Sequence, residues 1–360
     1  MKLQNHIVTF AKNDADTLSL FASFGDYYNE YLSKRGVSDL RFSSDITFSE
    51  KEEKVNEAIV KEVAKRAGFA VEDLKENLSS PMTGWATYAV ITNLVDSVMP
   101  ESLERYIGLW ADIQFGGYGD VFEFRKDLVG FLKVTKAGRA QRLAERQRVV
   151  KGAYRVETEN HMLTMETDLY RLLLGLDSLA EMAALVVRSM AQAISNEALS
   201  ALAGAISALP TGTSGLVVTG YTQKTMMELI GKVRAWSGGG VPWIVGTPAA
   251  LSDLIPTATY ASLPADSRYF ALGHVTQAMG SPVFALPQLV GASAYDTALA
   301  DDVIYILPSS GKPIKVGVGG EMRHSSGTFD YADLSQTVTM WKEFGVVAAT
   351  GMVFGVVNLS

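Results

Sequence analysis

Two runs of alternating apolar and charged residues, separated by a segment that is almost wholly basic, restrict the folds open to this chain more than any other feature. Phe122 and Phe124 oppose Glu123 and Arg125, while Val150, Tyr154 and Val156 oppose Lys151, Arg155, Glu157 and Glu159. A period of two places successive side chains on opposite faces of a strand. The runs predict one hairpin with arms at about 121–136 and 149–159, joined by "KVTKAGRAQRLAERQRVVKG" at 133–152. At about 3.3 Å per residue such a ribbon reaches on the order of 40 Å. Two strands alone are marginally stable in water, so the ribbon persists only if one face lies on another surface.

Charge suggests which surface. Residues 125–155 hold ten Lys or Arg against Asp127 and Glu145, a local charge of +8 in a chain of net −7, which leaves −15 elsewhere. A basic ribbon on an acidic body is self-complementary between copies, and such complementarity mainly sets register and partner choice. Lys133, Lys136, Arg139, Arg142, Arg146, Arg148 and Lys151 are therefore the candidate intersubunit contacts. The same charge attracts nucleic acid, but the tip has no aromatic residue to stack on bases and the chain as a whole repels phosphate. A solvated charged loop is the plainer reading. The flanking strands and their need for support weigh against it.

A chain of 360 residues, 48% hydrophobic and 20% charged, is long enough for two or three cores at about 100 to 200 residues per domain. With no Cys it has no disulfide, thiolate metal site or cysteine nucleophile, which fits a reducing compartment. "MKLQNHIVTFAKNDAD" turns polar within a few residues, so no secretion signal is read and use in a cytoplasm is expected. The apolar run "FGVVAATGMVFGVV", 344–357, is 14 residues long and suits a buried strand better than a spanning helix of about 20. A second run, 179–207, carries Glu181, Arg188, Gln192, Asn196 and Glu197 and reads as a helix enclosed by protein. No membrane partner is expected.

The first 115 residues are helical in pattern. Ser49 and Glu52 match a capping box, Val55, Ile59, Val63 and Ala67 recur at helical spacing, and Gly68 ends the run. A further helical signal, "ESLERYIGLW", follows Pro100. These narrow apolar faces predict an arm that packs on something else. After the hairpin, Ser178 and Glu181 form another capping box on a helix running to about Leu209, where Pro210 stops it. From 211 strands and helices alternate through "SGLVVTGY", a helix at Thr222 to Trp236, "PWIVGT" and a short helix from Pro248. "SPVFALP", "DVIYILP" and "PIKVGVG" follow, and "DLSQTVTMW" and the 344–357 run can return to an earlier sheet. The class is α+β.

The sequence matches no motif for catalysis, nucleotide binding or metal binding. His6, His161, His274 and His324 include no helical metal pair. Gly317-Val-Gly319 meets Met322, and Gly117-Tyr-Gly119 meets Phe122, where a dinucleotide loop needs a third Gly. Neither Gly231-Lys232 nor Gly311-Lys312 is followed by Ser or Thr. Ser309-x-x-Lys312 lies in the turn "PSSGKP" without a Lys-Thr-Gly companion. No catalytic residue, cofactor or metal is expected.

A polar helical arm, a long basic hairpin, a spine-like helix, an α+β domain and returning carboxyl-terminal strands resemble, in that order, the major capsid proteins of tailed bacteriophages with the HK97-like fold. "PWIVGTPAALSDL", "DVIYILPSSGKPIKVGVGGE" and "WKEFGVVAATGMVFGVVNLS" look like the axial domain and closing strands of such subunits, and residues 1–84 match less clearly. The resemblance implies an N-terminal arm and helical segment at 1–115, an extended β-hairpin loop at 116–160 and a peripheral domain with spine helix at 161–210. An axial domain at 211–320 and return strands to the peripheral domain at 321–360 complete it. It further implies pentamers and hexamers in an icosahedral shell, assembled in a host cytoplasm, with weak non-specific contact to packaged double-stranded DNA. Scaffolding, portal or decoration proteins are further partners of such shells. Some members crosslink a loop Lys to an Asn through a nearby Glu; Lys133, Lys136 or Lys151 with Asn358 would be the pair here, but no acid follows Asn358 and the activity is not carried over. An encapsulin-like nanocompartment shell shares the fold. From another class, a cytoplasmic α+β enzyme with a scattered site is the alternative.

Overall fold

The computed structural model describes residues 15–34, 47–77, 80–125, 152–206, 215–252, 276–286, 296–309, 311–329, 335–349 and 353–359, with positions 209, 254, 288 and 291. Its helices are α1 (Ala15–Lys34), α2 (Phe48–Ala67), α3 (Pro81–Ile107), α4 (Leu169–Leu173), α5 (Leu179–Ile206), α6 (Gln223–Trp236) and α7 (Pro248–Ser252). Its strands are β1 (Ala111–Gly116), β2 (Phe122–Arg125), β3 (Ala153–Val156), β4 (Glu159–Asp168), β5 (Val217–Thr219) and β6 (Trp243–Gly246), then β7 (Gln277–Ala278), β8 (Ser281–Ala285), β9 (Val303–Leu307), β10 (Ile314–Phe329), β11 (Ser335–Ala348) and β12 (Gly355–Asn358). They form a four-stranded sheet in the order β1-β10-β11-β4, a six-stranded sheet β5-β12-β9-β6-β8-β7 and the pair β2-β3.

Local signals account for most helix ends. Ser178 Oγ accepts from the Glu181 N–H at 3.1 Å, as the capping box predicts, and Gly68 closes α2 at φ 77°, a conformation glycine adopts without steric cost. The cap of α2, however, is Thr47 with Glu50, two residues ahead of the expected Ser49 and Glu52. Both pairs satisfy the pattern. Phe48, stacked on Tyr27 at 5.1 Å between centroids, packs as part of the first turn and thereby selects the earlier cap. A larger departure is α3, which starts at Pro81 and runs through Pro100 instead of beginning after it. Proline there forfeits the hydrogen bond to the Asp96 carbonyl and is costly in a helix interior. Burial of Met99, Ser102, Leu103 and Ile107 around it outweighs that loss.

The amino-terminal helices pack into the main core. α3 is buried around its circumference, and its Tyr88, Ile91, Leu94 and Met99 share one apolar cluster with α1, α2, α5 and the inner face of the four-stranded sheet. A helix apolar on all sides shows no stripe, so its sequence looked narrow-faced only where Thr and Ser interrupt it. Ile314, Val316 and Val318 of β10, with Val338, Met340 and Phe344 of β11, form that inner face. Polar ties fix the layers: Tyr28 Oη lies 3.0 Å from Ser102 Oγ, and Asn56 Oδ1 accepts from the Ala180 N–H at 2.9 Å. The six-stranded sheet has a second core of its own, with Ile244, Ile304, Ile306 and Val357 packed on Met226, Leu229 and Val233 of α6.

The closing strands return as expected, with one correction. The 344–357 run is two strands: β11 ends beside β10 in the four-stranded sheet, while β12 lies between β5 and β9 in the other. Its uniform apolarity reflects burial in two cores in succession, which hides the break between them.

A buried ion pair joins the helical layer to the sheet. Lys342 on β11, 5% exposed, donates to Asp96 Oδ1 of α3 at 2.6 Å and to the Gly320 carbonyl at 2.6 Å, while the Met322 N–H donates to Asp96 Oδ2 at 2.6 Å. Burial pushes the Asp96 carboxyl up against the opposing pull of Lys342. Lys342→Met, which strands that carboxylate, is expected to cost about 3–5 kcal/mol in urea denaturation at pH 7, and Asp96→Leu with Lys342→Met to recover most of it. In the single variant the folded pKa lies above the unfolded value of about 3.9, so the penalty is absent below that pH and grows as pH rises through the folded value. Equal losses in the single and double variants would show that the pair does not act as a unit.

Candidate assembly surface

The outer face of the four-stranded sheet carries the root of the predicted ribbon. β2 and β3 pair antiparallel, Phe122 with Val156 and Phe124 with Tyr154. Phe122, Phe124 and Val156 are buried and the intervening Glu123, Arg125 and Arg155 exposed, as the alternation requires. The apolar side chains pack with Val347 of β11. The support expected from a sister molecule is thus supplied, for these four residue pairs, by the chain's own returning strands.

That face is notched. Gly317 and Gly345 stand opposite each other in the β10–β11 register, and Gly116 on β1 pairs with Gly319, two residues further along β10. A Cβ on Gly317 would stand 2.6 Å from the Phe122 ring and one on Gly116 2.9 Å from it; one on Gly345 would collide with the Glu157 carbonyl oxygen. Glycine at these three places lets the ribbon's backbone and a phenyl ring descend onto the sheet. Gly317, from the Gly317-Val-Gly319 run that no nucleotide motif explains, has its role here.

Charged groups fasten the root at both ends. Glu343 accepts from the Gly119 N–H at 3.2 Å through Oε2 and from the Thr158 hydroxyl at 3.0 Å through Oε1, so one carboxylate holds the segments before β2 and after β3. Asp120 Oδ2 accepts from the Gly117 N–H at 2.5 Å, shaping the turn into β2. Arg323 lies over the Tyr118 ring at 4.0 Å. Beneath Phe124, Lys315 is 7% exposed, its ammonium 5.6 Å from the ring centroid and 3.1 Å from Asp112 Oδ2 of the neighbouring strand.

The seven candidate contacts, Lys133, Lys136, Arg139, Arg142, Arg146, Arg148 and Lys151, lie outside the described residues. Asn358 sits in β12 opposite Val303 and Thr219. His161 stacks on Phe344 at 3.5 Å and reaches Glu197 of α5 at 3.1 Å; His324 lies 6.1 Å from the Trp85 ring, and burial lowers its pKa. Lys312 donates to the Gly108 carbonyl and is committed to the fold. Among the described residues, no group of His, Asp and Glu could hold a metal ion and no helix is long and apolar enough to cross a membrane.

The profile of a family described as "SPbeta prophage-derived putative capsid protein YonB" matches residues 32–358. A comparison with curated proteins finds no match. Among solved structures, the chain is similar to the mature capsid of bacteriophage PhiM1, at 14% identity and TM-score 0.45 over 69% of this chain and 85% of that one. The capsid of the native GTA particle gives 12% identity and TM-score 0.47 over 72% and 90%, and that of Cyanophage P-SCSP1u 11% and 0.45 over 69% and 86%.

The notch yields a prediction with an internal control. Gly345→Ala is expected to destabilise the protein by about 1–3 kcal/mol and to speed amide hydrogen exchange at 122–125 and 153–156. Gly25→Ala, where a methyl on α1 meets nothing within 4 Å, is expected to stabilise by about 0.5–1 kcal/mol. Unchanged exchange at the root in Gly345→Ala would mean the notch is not its seat.

Proposed function

The chain belongs to the family of SPbeta prophage-derived capsid proteins that includes YonB, and from that premise we propose that it is the major subunit of a tailed-phage head, a structural rather than catalytic protein of the virion. Copies join as pentamers and hexamers and close an icosahedral shell around double-stranded DNA, after assembly in the host cytoplasm. The match across residues 32–358 is the observation that carries this reading. In it the four-stranded sheet with α3 and α5 is the peripheral domain, the six-stranded sheet with α6 and α7 the axial domain, and the rooted ribbon the extended loop. A body of −15 beneath a basic ribbon fits a wall that joins its neighbours and holds DNA only weakly. Scaffolding, portal and decoration proteins are its further partners.

Size-exclusion chromatography and negative-stain microscopy of the purified protein test the proposal. Closed, uniform shells are expected; a monomer or dimer at every concentration and salt would refute it, and small shells loaded with protein alone would point to a nanocompartment. The ribbon's charge gives a sharper check. Replacing Arg139, Arg142, Arg146 and Arg148 together by Glu is expected to leave the circular-dichroism spectrum and melting temperature unchanged while cutting shell yield at least about tenfold, because like charges then face one another. Normal yield would remove the tip from the assembly contacts.

A further inference from the structure

Where α1, α2 and the start of α5 meet, a cavity of about 220 Å³ is lined by Tyr27, Tyr31, Lys34, Phe48, Glu52 and Glu181. Tyr27 and Phe48 stack, and the Lys34 ammonium stands 3.6 Å from the centre of the Phe48 ring. Glu52 and Glu181 line the same cavity as Tyr27, and burial, then these two carboxylates, raise the Tyr27 hydroxyl pKa. Aromatic faces and two carboxylates lining one cavity with an ammonium have the composition of a cation cage. Its present occupant is the exposed last residue of α1, held by a flexible stem that can swing outward.

We propose that this cage receives a guanidinium or ammonium group from the basic segment of a second copy, Lys34 moving aside as it enters. The proposal rests on the building-block reading above. Seven Lys or Arg against one acid at 133–152 supply the required charge, on a chain whose remainder is strongly acidic.

A fluorescent peptide of residues 133–152, titrated into the full-length unassembled subunit at low salt and followed by anisotropy, tests this. Glu52→Gln with Glu181→Gln is expected to weaken binding about tenfold, and Phe48→Leu, which leaves the charge untouched, about threefold. Lys34→Met empties the cage and is expected to tighten binding about threefold, whereas Lys224→Met, removing an equal charge from a side chain 87% exposed on α6, changes it less than about twofold. If Lys34→Met and Lys224→Met behave alike, or a folded Phe48→Leu binds as well as wild type, the attraction is diffuse and the cage is not a docking site. Should Phe48→Leu fail to fold, the two lysine variants still decide. Microscopy of the wild type reports separately on the building-block reading: shells uphold it whatever the peptide does, and their absence removes it without touching the titration.

Discussion

A two-stranded ribbon cannot bury both of its faces, and the rest of this fold is arranged around that constraint. The root lies on a sheet that has given up side chains to receive it. Glycine inside a strand costs about 0.5–1 kcal/mol relative to alanine. Against three such positions, burying Phe122, Phe124 and Val156 contributes about 1.5–3 kcal/mol each. Burial wins, so glycines that would weaken an isolated strand stabilise this one.

The same strands serve a second surface. Alternation turns Lys342 toward α3 and its neighbour Glu343 toward the ribbon. One clamp holds the helical layer through Asp96 at the irregular register of β10 between Gly319 and Arg323; the other holds both ends of the ribbon's root. A buried ion pair is poor value as pure stability, since apolar residues of the same volume often do as well. What it fixes is position. Asp96 accepts from both Lys342 and the Met322 N–H, so a shift of α3 by one turn would leave a carboxylate, an ammonium and a backbone donor without partners in the interior.

Features that depend on neighbours in sequence were legible before the structure. Phe122 to Arg125, the Ser178 cap, Gly68 and the returning strands all announce themselves through period, cap or breaker. Where several local patterns competed, or where packing overrode one, the sequence misled: Thr47 and Ser49 both fit a capping box, Pro100 reads as a boundary, and the 344–357 run conceals a passage between two sheets. The notch was illegible for another reason. Gly116, Gly317 and Gly345 are far apart along the chain, and only the β1-β10-β11 register brings the first two under the Phe122 ring and the third under the Glu157 carbonyl. The cage is similar, since residues 27 to 181 converge on it from three helices. The seven basic residues were conspicuous from the first, yet charge alone says what attracts them and not where they rest.

Fixing the root matters more as the ribbon lengthens. For a ribbon of the length expected from the sequence, about 40 Å, a tilt of about 5° at the root would displace the far end by about 3.5 Å, enough to break a hydrogen bond or misplace a charge. A subunit that repeats one contact around a shell must therefore set this angle within its own fold, before any neighbour arrives. The glycine notch sets the depth of the root, Glu343 ties its two ends together, and Asp96 with Lys342 holds the strand that carries Glu343 against the helical core.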